Sequence, residues 1–117
     1  MSIDLSGRSI LIVEDEPLIA MEIADTLRSA RANVLIAATL HEGMRLAECA
    51  PLSAAILDLI LGRDDVAALC KRLTARGIPF VIYSGYGDVP DGCEPGAIVE
   101  KPADSNVLLR ALARVLA

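Results

Sequence analysis

Apolar residues in this chain fall into two alternating patterns. Short unbroken runs occupy residues 9–14 (Ser-Ile-Leu-Ile-Val-Glu), 33–38, 53–58, 80–84 and 97–100. Runs of this length without polar alternation suit strands buried on both faces of a parallel sheet. Between them, apolar positions recur every three or four residues, as on one face of a helix. Pro17 suits a first helical turn, where its missing N–H costs nothing. The helix it opens runs to about Arg31, with Ile19, Ile23, Leu27 and Ala30 as its buried stripe. Thr39 caps a second helix to about Cys49, with Glu42 three residues on in a capping-box arrangement; its stripe is Leu40, Met44 and Ala47. A third helix starts at Asp64 or Asp65 and ends near Arg76, acidic first and basic last as the helix dipole favours, with Gly77 closing it. The last runs from about Asp104 to Leu116, capped by Asp104 or Ser105.

One interval breaks the alternation. Residues 85–96 hold Gly85, Gly87, Pro90, Gly92, Pro95 and Gly96, a density of breakers that disfavours a regular helix. A loop, or at most one turn, is expected where a fourth crossover helix belongs. Five strands joined by right-handed crossovers predict an α/β, flavodoxin-like doubly wound parallel sheet of order 2-1-3-4-5, in a single domain spanning residues 1–117.

Composition narrows the partners. The chain is 54% hydrophobic but only 3% aromatic, without Trp, so Ala, Leu, Ile and Val must build the core. A formal net charge of −5 and no basic run argue against nucleic acid. The apolar stretches are interrupted by acids and no signal pattern opens the chain, so a soluble, cytoplasmic protein without membrane contact is expected. Cys49, Cys70 and Cys93 show no metal-like spacing and are read as free thiols of a reducing compartment. His41, the only histidine, is expected to be solvated.

The predicted strand order gathers chemistry at one edge. Strands one and three become neighbours, which brings Glu14 and Asp15 beside Asp58; strand four delivers Ser84 there and strand five Lys101. Taken singly, Asp58 could be a turn residue and Glu14 and Asp15 mere helix caps. Together, three converging carboxylates repel unless a cation joins them, and hard oxygen ligands favour Mg²⁺. A lysine and a hydroxyl nearby could stabilise the oxygens of a transferring phosphoryl group, with an aspartate as covalent acceptor.

This set, Glu14-Asp15 after strand one, Asp58 after strand three, Ser84 after strand four and Lys101-Pro102 after strand five, resembles the response-regulator receiver domains of two-component signalling over essentially the whole chain. The resemblance implies that Asp58 is the phosphoacceptor and that Asp15 and Asp58 bind Mg²⁺. Glu14 assists through water, and the backbone carbonyl of Ile60 completes the metal ligands. Ser84 and Lys101 would bond phosphoryl oxygens, and the Lys101–Pro102 bond would be cis. The phosphodonor would be a sensor histidine kinase or a histidine phosphotransfer protein. The implied output is protein–protein contact rather than enzymatic turnover, with self-directed phosphoryl transfer and slow autodephosphorylation only. Residues 80–87 and 14–20 look like those of stand-alone receivers paired with HWE-type kinases.

Departures from the family pattern are equally specific. Gly62 stands where a proline is common, and Ile98 replaces the aromatic three residues before the lysine, so the usual hydroxyl–aromatic switch cannot operate. Residues 85–96 are the expected site of the switch, and Ile60 and Tyr86 are expected to shield the phosphoryl group. On the last helix Asn106, Arg110 and Arg114 form a polar stripe, with Leu109, Ala113 and Leu116 as a second apolar flank. Homodimerisation or kinase docking there, or covering by the 85–96 loop, are both open. Rival readings are a receiver fold kept as a non-phosphorylated interaction module, and a small aspartyl-nucleophile phosphatase. The phosphatase would want a second Asp at the position of Ile60.

Overall fold

A computed structural model describes residues 3–49, 51–58, 63–85 and 93–117, with residues 63–65 described in their backbone alone. In chain order the elements are β1 (Ser9–Val13), α1 (Pro17–Ser29), β2 (Asn33–Ala37), α2 (Leu40–Cys49), β3 (Ala54–Asp58), α3 (Arg63–Ala75), β4 (Phe80–Ser84), β5 (Ala97–Glu100) and α4 (Ser105–Leu116). The strands form one parallel sheet of order β2-β1-β3-β4-β5. The flavodoxin-like doubly wound fold expected from the pattern is therefore the fold observed. Between β4 and β5 the described residues, 85 and 93–96, carry no helix; residues 86–92 lie outside the description.

Burial explains why the pattern was readable. Every residue of β3 and β4 is buried, and so is β1 from Ile10 onward, whereas the edge strands β2 and β5 alternate with exposed positions. Side chains of period two divide between two cores. One, under α1 and α4, holds Ile10, Ile12, Ile56, Val81, Tyr83, Ile23, Leu27, Leu108 and Leu112. The other, under α2 and α3, holds Leu11, Val13, Leu57, Phe80, Ile82, Leu69 and Leu73. Aliphatic side chains dominate both, each contributing roughly 1.5–3 kcal/mol when fully buried.

The helix ends follow local chemistry. Glu16 precedes Pro17 at the N-terminus of α1, and the helix ends at Ser29 with Ala30 as its C-cap, two residues short of the expected end, because Arg31 turns to a positive φ of 74°. Thr39 caps α2 as expected, its Oγ1 accepting from the Glu42 N–H at 3.1 Å. The second half of the capping box is diverted, since the Glu42 carboxylate is engaged by Arg45. On α3, Arg72 pairs with Glu48 and Arg76 donates to the Ala47 carbonyl, so these bases lock α3 to α2 as well as facing the dipole. Gly77, at φ 69°, follows the helix as predicted. Asp104 is the N-cap of α4, accepting from the Asn106 N–H at 2.8 Å. Ser105 is instead buried and shares a 2.5 Å hydrogen bond with Thr26 of α1. Leu109 lies beside Ile3, Thr26 and Ala30, so this flank of α4 faces α1 and the N-terminal segment.

The cysteine reading needs correction. Cys70 of α3 and Cys93 are joined in a disulfide with Cα atoms 5.3 Å apart, and only Cys49 is free and exposed. Their separation of 23 residues is no motif. The approach to β5 simply runs over the α3 side of the sheet, where both residues enter one apolar cluster. Both sulfur-bearing residues are buried, which shields the bond from small thiols. His41 is exposed, as expected.

Close packing of α4 on the start of β5 depends on Gly96. A Cβ there would stand 2.6 Å from Val115 Cγ1 and 3.2 Å from Val115 Cβ, while the Gly96 N–H is fixed on the Phe80 carbonyl at 2.8 Å. Gly96→Ala is expected to lower stability by about 1–3 kcal/mol through overpacking. In urea unfolding, Val115→Ala combined with it should cost less than the sum of the two single changes; strict additivity would contradict this packing account.

Candidate functional site

Strand register assembles the site. Val13 is paired with Leu57, so the next residues on each strand, Glu14 and Asp58, face each other at the carboxyl edge of the sheet. Asp58 is paired with Tyr83, and Ser84 with Glu100. The ladder continues past β5, where the Lys101 N–H donates to the Ser84 carbonyl at 2.7 Å, and past β1, where the Glu14 N–H donates to the Ala37 carbonyl at 3.0 Å. Four of the predicted positions, Glu14, Asp58, Ser84 and Lys101, are thereby fixed by main chain, and Asp15 follows directly on Glu14. The Lys101–Pro102 peptide bond is cis, as the resemblance implied.

The side chains divide into buried and exposed. Glu14, Asp58 and Ser84 are all buried, whereas Asp15 faces solvent. Carboxylate oxygens of Glu14, Asp15 and Asp58 lie within 4.8 Å of one another. Against them stands the Lys101 ammonium, with Nζ donating to Asp58 Oδ2 at 3.0 Å. Ionised carboxylates have no proton to donate to each other, and both buried oxygens of Glu14 lack a hydrogen-bond partner. Burial is the first cause that pushes the Glu14 carboxyl up to about 8; the neighbouring Asp58 carboxylate and the Asp15 charge add to it, while Lys101 opposes.

A buried carboxylate with both oxygens unpartnered is costly, and two ways out exist: a proton on Glu14, or a cation among the three acids. Hard oxygen donors at this spacing fit Mg²⁺, which typically takes one or two carboxylates and keeps several waters. The residues present therefore suit the metal inferred from sequence. The remaining predicted ligand, the Ile60 carbonyl, lies outside the described residues, as do Gly62, Tyr86 and most of the 85–96 segment. Ile98 sits on the edge strand, 46% exposed.

One neighbour of the site escaped the sequence reading. Tyr83, buried beside Asp58 in the β3–β4 register, carries the Lys101 ammonium 5.0 Å from its ring centroid. The available signal was a polar-tipped aromatic inside a fully buried strand, directly before Ser84.

The raised Glu14 carboxyl has a definite pH signature. Its folded value of about 8 exceeds the ordinary 4.5, so the folded chain holds a proton that the unfolded chain releases, and the associated stability is lost as pH rises through that window. Without divalent cation, the melting temperature of the wild type should fall from pH 5 to pH 8 more steeply than that of Glu14→Gln. Mg²⁺ should reverse the difference at the upper end by displacing the proton. Parallel profiles for the two proteins, with and without Mg²⁺, would contradict the assignment.

Comparison with known proteins converges on the same edge of the same fold. The response regulator receiver domain family matches residues 10–113. The acid tolerance regulatory protein ActR of Sinorhizobium medicae (strain WSM419) is 29% identical over 118 residues, which cover 93% of this chain and 61% of that protein. The chain thus spans about three fifths of the length of that curated relative. A CheY-like response regulator receiver domain protein from Methanospirillum hungatei JF-1 superposes with a TM-score of 0.83 at 25% identity, over 93% of each chain. The receiver domain of a sensor histidine kinase from Pseudomonas aeruginosa PAO1 superposes with a TM-score of 0.82 at 26% identity, over 95% of this chain and 98% of that one. That structure holds a magnesium ion coordinated in its active-site cleft. With the β2-β1-β3-β4-β5 sheet and the acids gathered at its carboxyl edge, the match leaves one assignment: the chain belongs to the response regulator receiver domain family.

Proposed function

We propose that this protein accepts a phosphoryl group on Asp58 from a histidine kinase or histidine phosphotransfer protein in the cytoplasm, and signals by protein–protein contact. The observation that carries the reading is the 3.0 Å contact between Lys101 Nζ and Asp58 Oδ2 inside the acidic cluster. An ammonium in contact with a buried aspartate favours its charged form, the form a nucleophile needs.

In the transfer, a carboxylate oxygen of Asp58 attacks phosphorus and the phosphorus–nitrogen bond of the phosphohistidine breaks. The imidazole leaves with the electron pair and takes up a proton from solvent. Asp58 becomes an acyl phosphate, and the site gains roughly −1.5 to −2 charge in place of one carboxylate charge. Lys101 moves from a carboxylate oxygen to a phosphoryl oxygen within the same reach, and the Ser84 hydroxyl donates to another. Asp15, Asp58 and Glu14 would hold Mg²⁺, with the Ile60 carbonyl completing the set. When bound, the ion neutralises charge developing on the phosphoryl oxygens. Glu14 would hold the ion as a carboxylate and its own proton when the site is empty of metal. No nucleic acid or membrane contact is part of this function; among the described residues no helix is long and apolar enough to cross a membrane.

Phosphoramidate, which carries the same phosphorus–nitrogen bond as phosphohistidine, tests the reading without a known kinase. The wild type should gain one phosphoryl group in the presence of Mg²⁺ and none after chelation. Asp58→Asn should gain none, and Lys101→Ala should react on the order of a hundredfold more slowly, the scale of losing one charge-stabilising donor. Equal phosphorylation of wild type and Asp58→Asn would refute the proposal.

A further inference from the structure

The geometry points to Tyr83 as a positioning residue that fixes Lys101 at the phosphoacceptor site; this inference rests on the phosphoacceptor reading of Asp58 and extends it. Lysine is a hard residue to hold in place. Its ammonium is a compact charge on a flexible four-carbon stem with three rotatable donors. Among the described residues its ionic partner at this site is Asp58, the group that changes character when a phosphoryl group arrives. Something other than the carboxylate must keep the ammonium in reach.

Two adjacent residues of β4 grip the chain around Lys101. The Ser84 carbonyl accepts from the Lys101 N–H at 2.7 Å. Two residues further on, the Ala103 N–H donates to the Tyr83 hydroxyl at 3.2 Å, and that hydroxyl lies 3.2 Å from the Ala103 carbonyl, to which it donates. The hydroxyl thus closes both backbone groups of one residue in the β5–α4 connection, just before the Asp104 cap. The ring does a second job. Lys101 Nζ stands 5.0 Å from its centroid, inside the range over which an aromatic face attracts a cation, and the attraction grows when the pair is desolvated. Here the Lys101 side chain is 16% exposed and Tyr83 is 7% exposed.

The ring is itself immobile. Tyr83 belongs to the core under α1 and α4, among Ile56, Val99 and Leu108, and pairs across the sheet with Asp58 on one side and Val99 on the other. Rigid core, ring face and hydroxyl therefore act on the same target, the lysine and its main chain. Leu or Ile would fill the volume, as Val81 and Ile82 do earlier in β4, but could supply neither the cation platform nor the two bonds to Ala103.

The test is a double-mutant cycle read on phosphorylation rate. Wild type, Tyr83→Phe, Tyr83→Leu and Lys101→Ala, with both double variants, are reacted with phosphoramidate at saturating Mg²⁺. Tyr83→Phe keeps the ring but loses the Ala103 bonds, and should react about fivefold more slowly. Tyr83→Leu loses both and should be slowed about twentyfold. In the Lys101→Ala background either change should cost less than about twofold, because the group it positions is gone. Within each background the Tyr83 changes should leave Mg²⁺ affinity unchanged. An effect of equal size in both backgrounds would mark Tyr83 as merely structural and overturn the inference, as would Tyr83→Leu reacting at the wild-type rate.

A spectroscopic readout on the unmodified protein does not depend on any variant folding. The Lys101 ε-methylene protons should be shifted upfield by the Tyr83 ring current; unshifted protons would also overturn the inference. If the wild type takes up no phosphoryl group, the functional reading falls and takes this inference with it. A phosphorylated wild type with indifferent Tyr83 variants removes the inference alone.

Discussion

Three carboxylates crowded at one edge of a parallel sheet, with a single ammonium among them, are the constraint around which this molecule is arranged. Their proximity follows from main-chain register and leaves the side chains no route of escape. Once β1 pairs with β3 so that Val13 meets Leu57, Glu14 must meet Asp58, and both are buried. The cost of that meeting appears in Glu14, whose oxygens have no hydrogen-bond partner and whose carboxyl is pushed up to about 8. A site that must hold either a proton on Glu14 or a cation among its acids has a standing demand for positive charge. The apolar strands supply the rigidity that keeps the demand from relaxing.

Lys101 satisfies part of it from the other side. It arrives on the edge strand, one step past Glu100, through the hydrogen bond of its N–H to Ser84. Its ammonium lies between an acid that attracts it and an aromatic face that holds it. Asp58, the Ser84 hydroxyl, Lys101 and the Tyr83 ring thus come from adjacent strands β3 and β4 and from the end of β5. Small changes in the β4–β5 connection would be felt at the lysine, because Tyr83 and Ser84 both grip it. This coupling is a physical route by which charge added at Asp58 could reach the side of the sheet where Ile98 is exposed, without the aromatic that Ile98 replaces.

Most of the architecture was legible because burial and hydropathy agree in this chain. The five apolar runs became the five strands nearly residue for residue; in β1, β3 and β4, burial on both faces leaves almost no room for polar substitution. The order 2-1-3-4-5 is the usual one for five strands with crossover helices at this size, and that order brought Glu14, Asp15, Asp58, Ser84 and Lys101 to one edge. What sequence could not convey was pairing between distant surfaces. The Cys70–Cys93 bond joins a helix to a connection 23 residues away, and no spacing rule announces it. Glu42 offers a capping box on paper, but Arg45, one turn on, competes for the same carboxylate. Tyr83 looked like one more strand residue, because its role lies in where its ring and hydroxyl meet another strand's connection.

The claim on which the account turns is that Asp58, and no other acid, takes the phosphoryl group. Acyl phosphates are reduced by borohydride, which would leave homoserine in place of the phosphorylated aspartate. The most direct measurement is peptide mass mapping of the wild type after phosphoryl donor, Mg²⁺ and borohydride. The account predicts homoserine at position 58 alone, dependent on Mg²⁺ and on prior phosphorylation. Reduction at Asp15 or elsewhere, or at no residue at all, would contradict it.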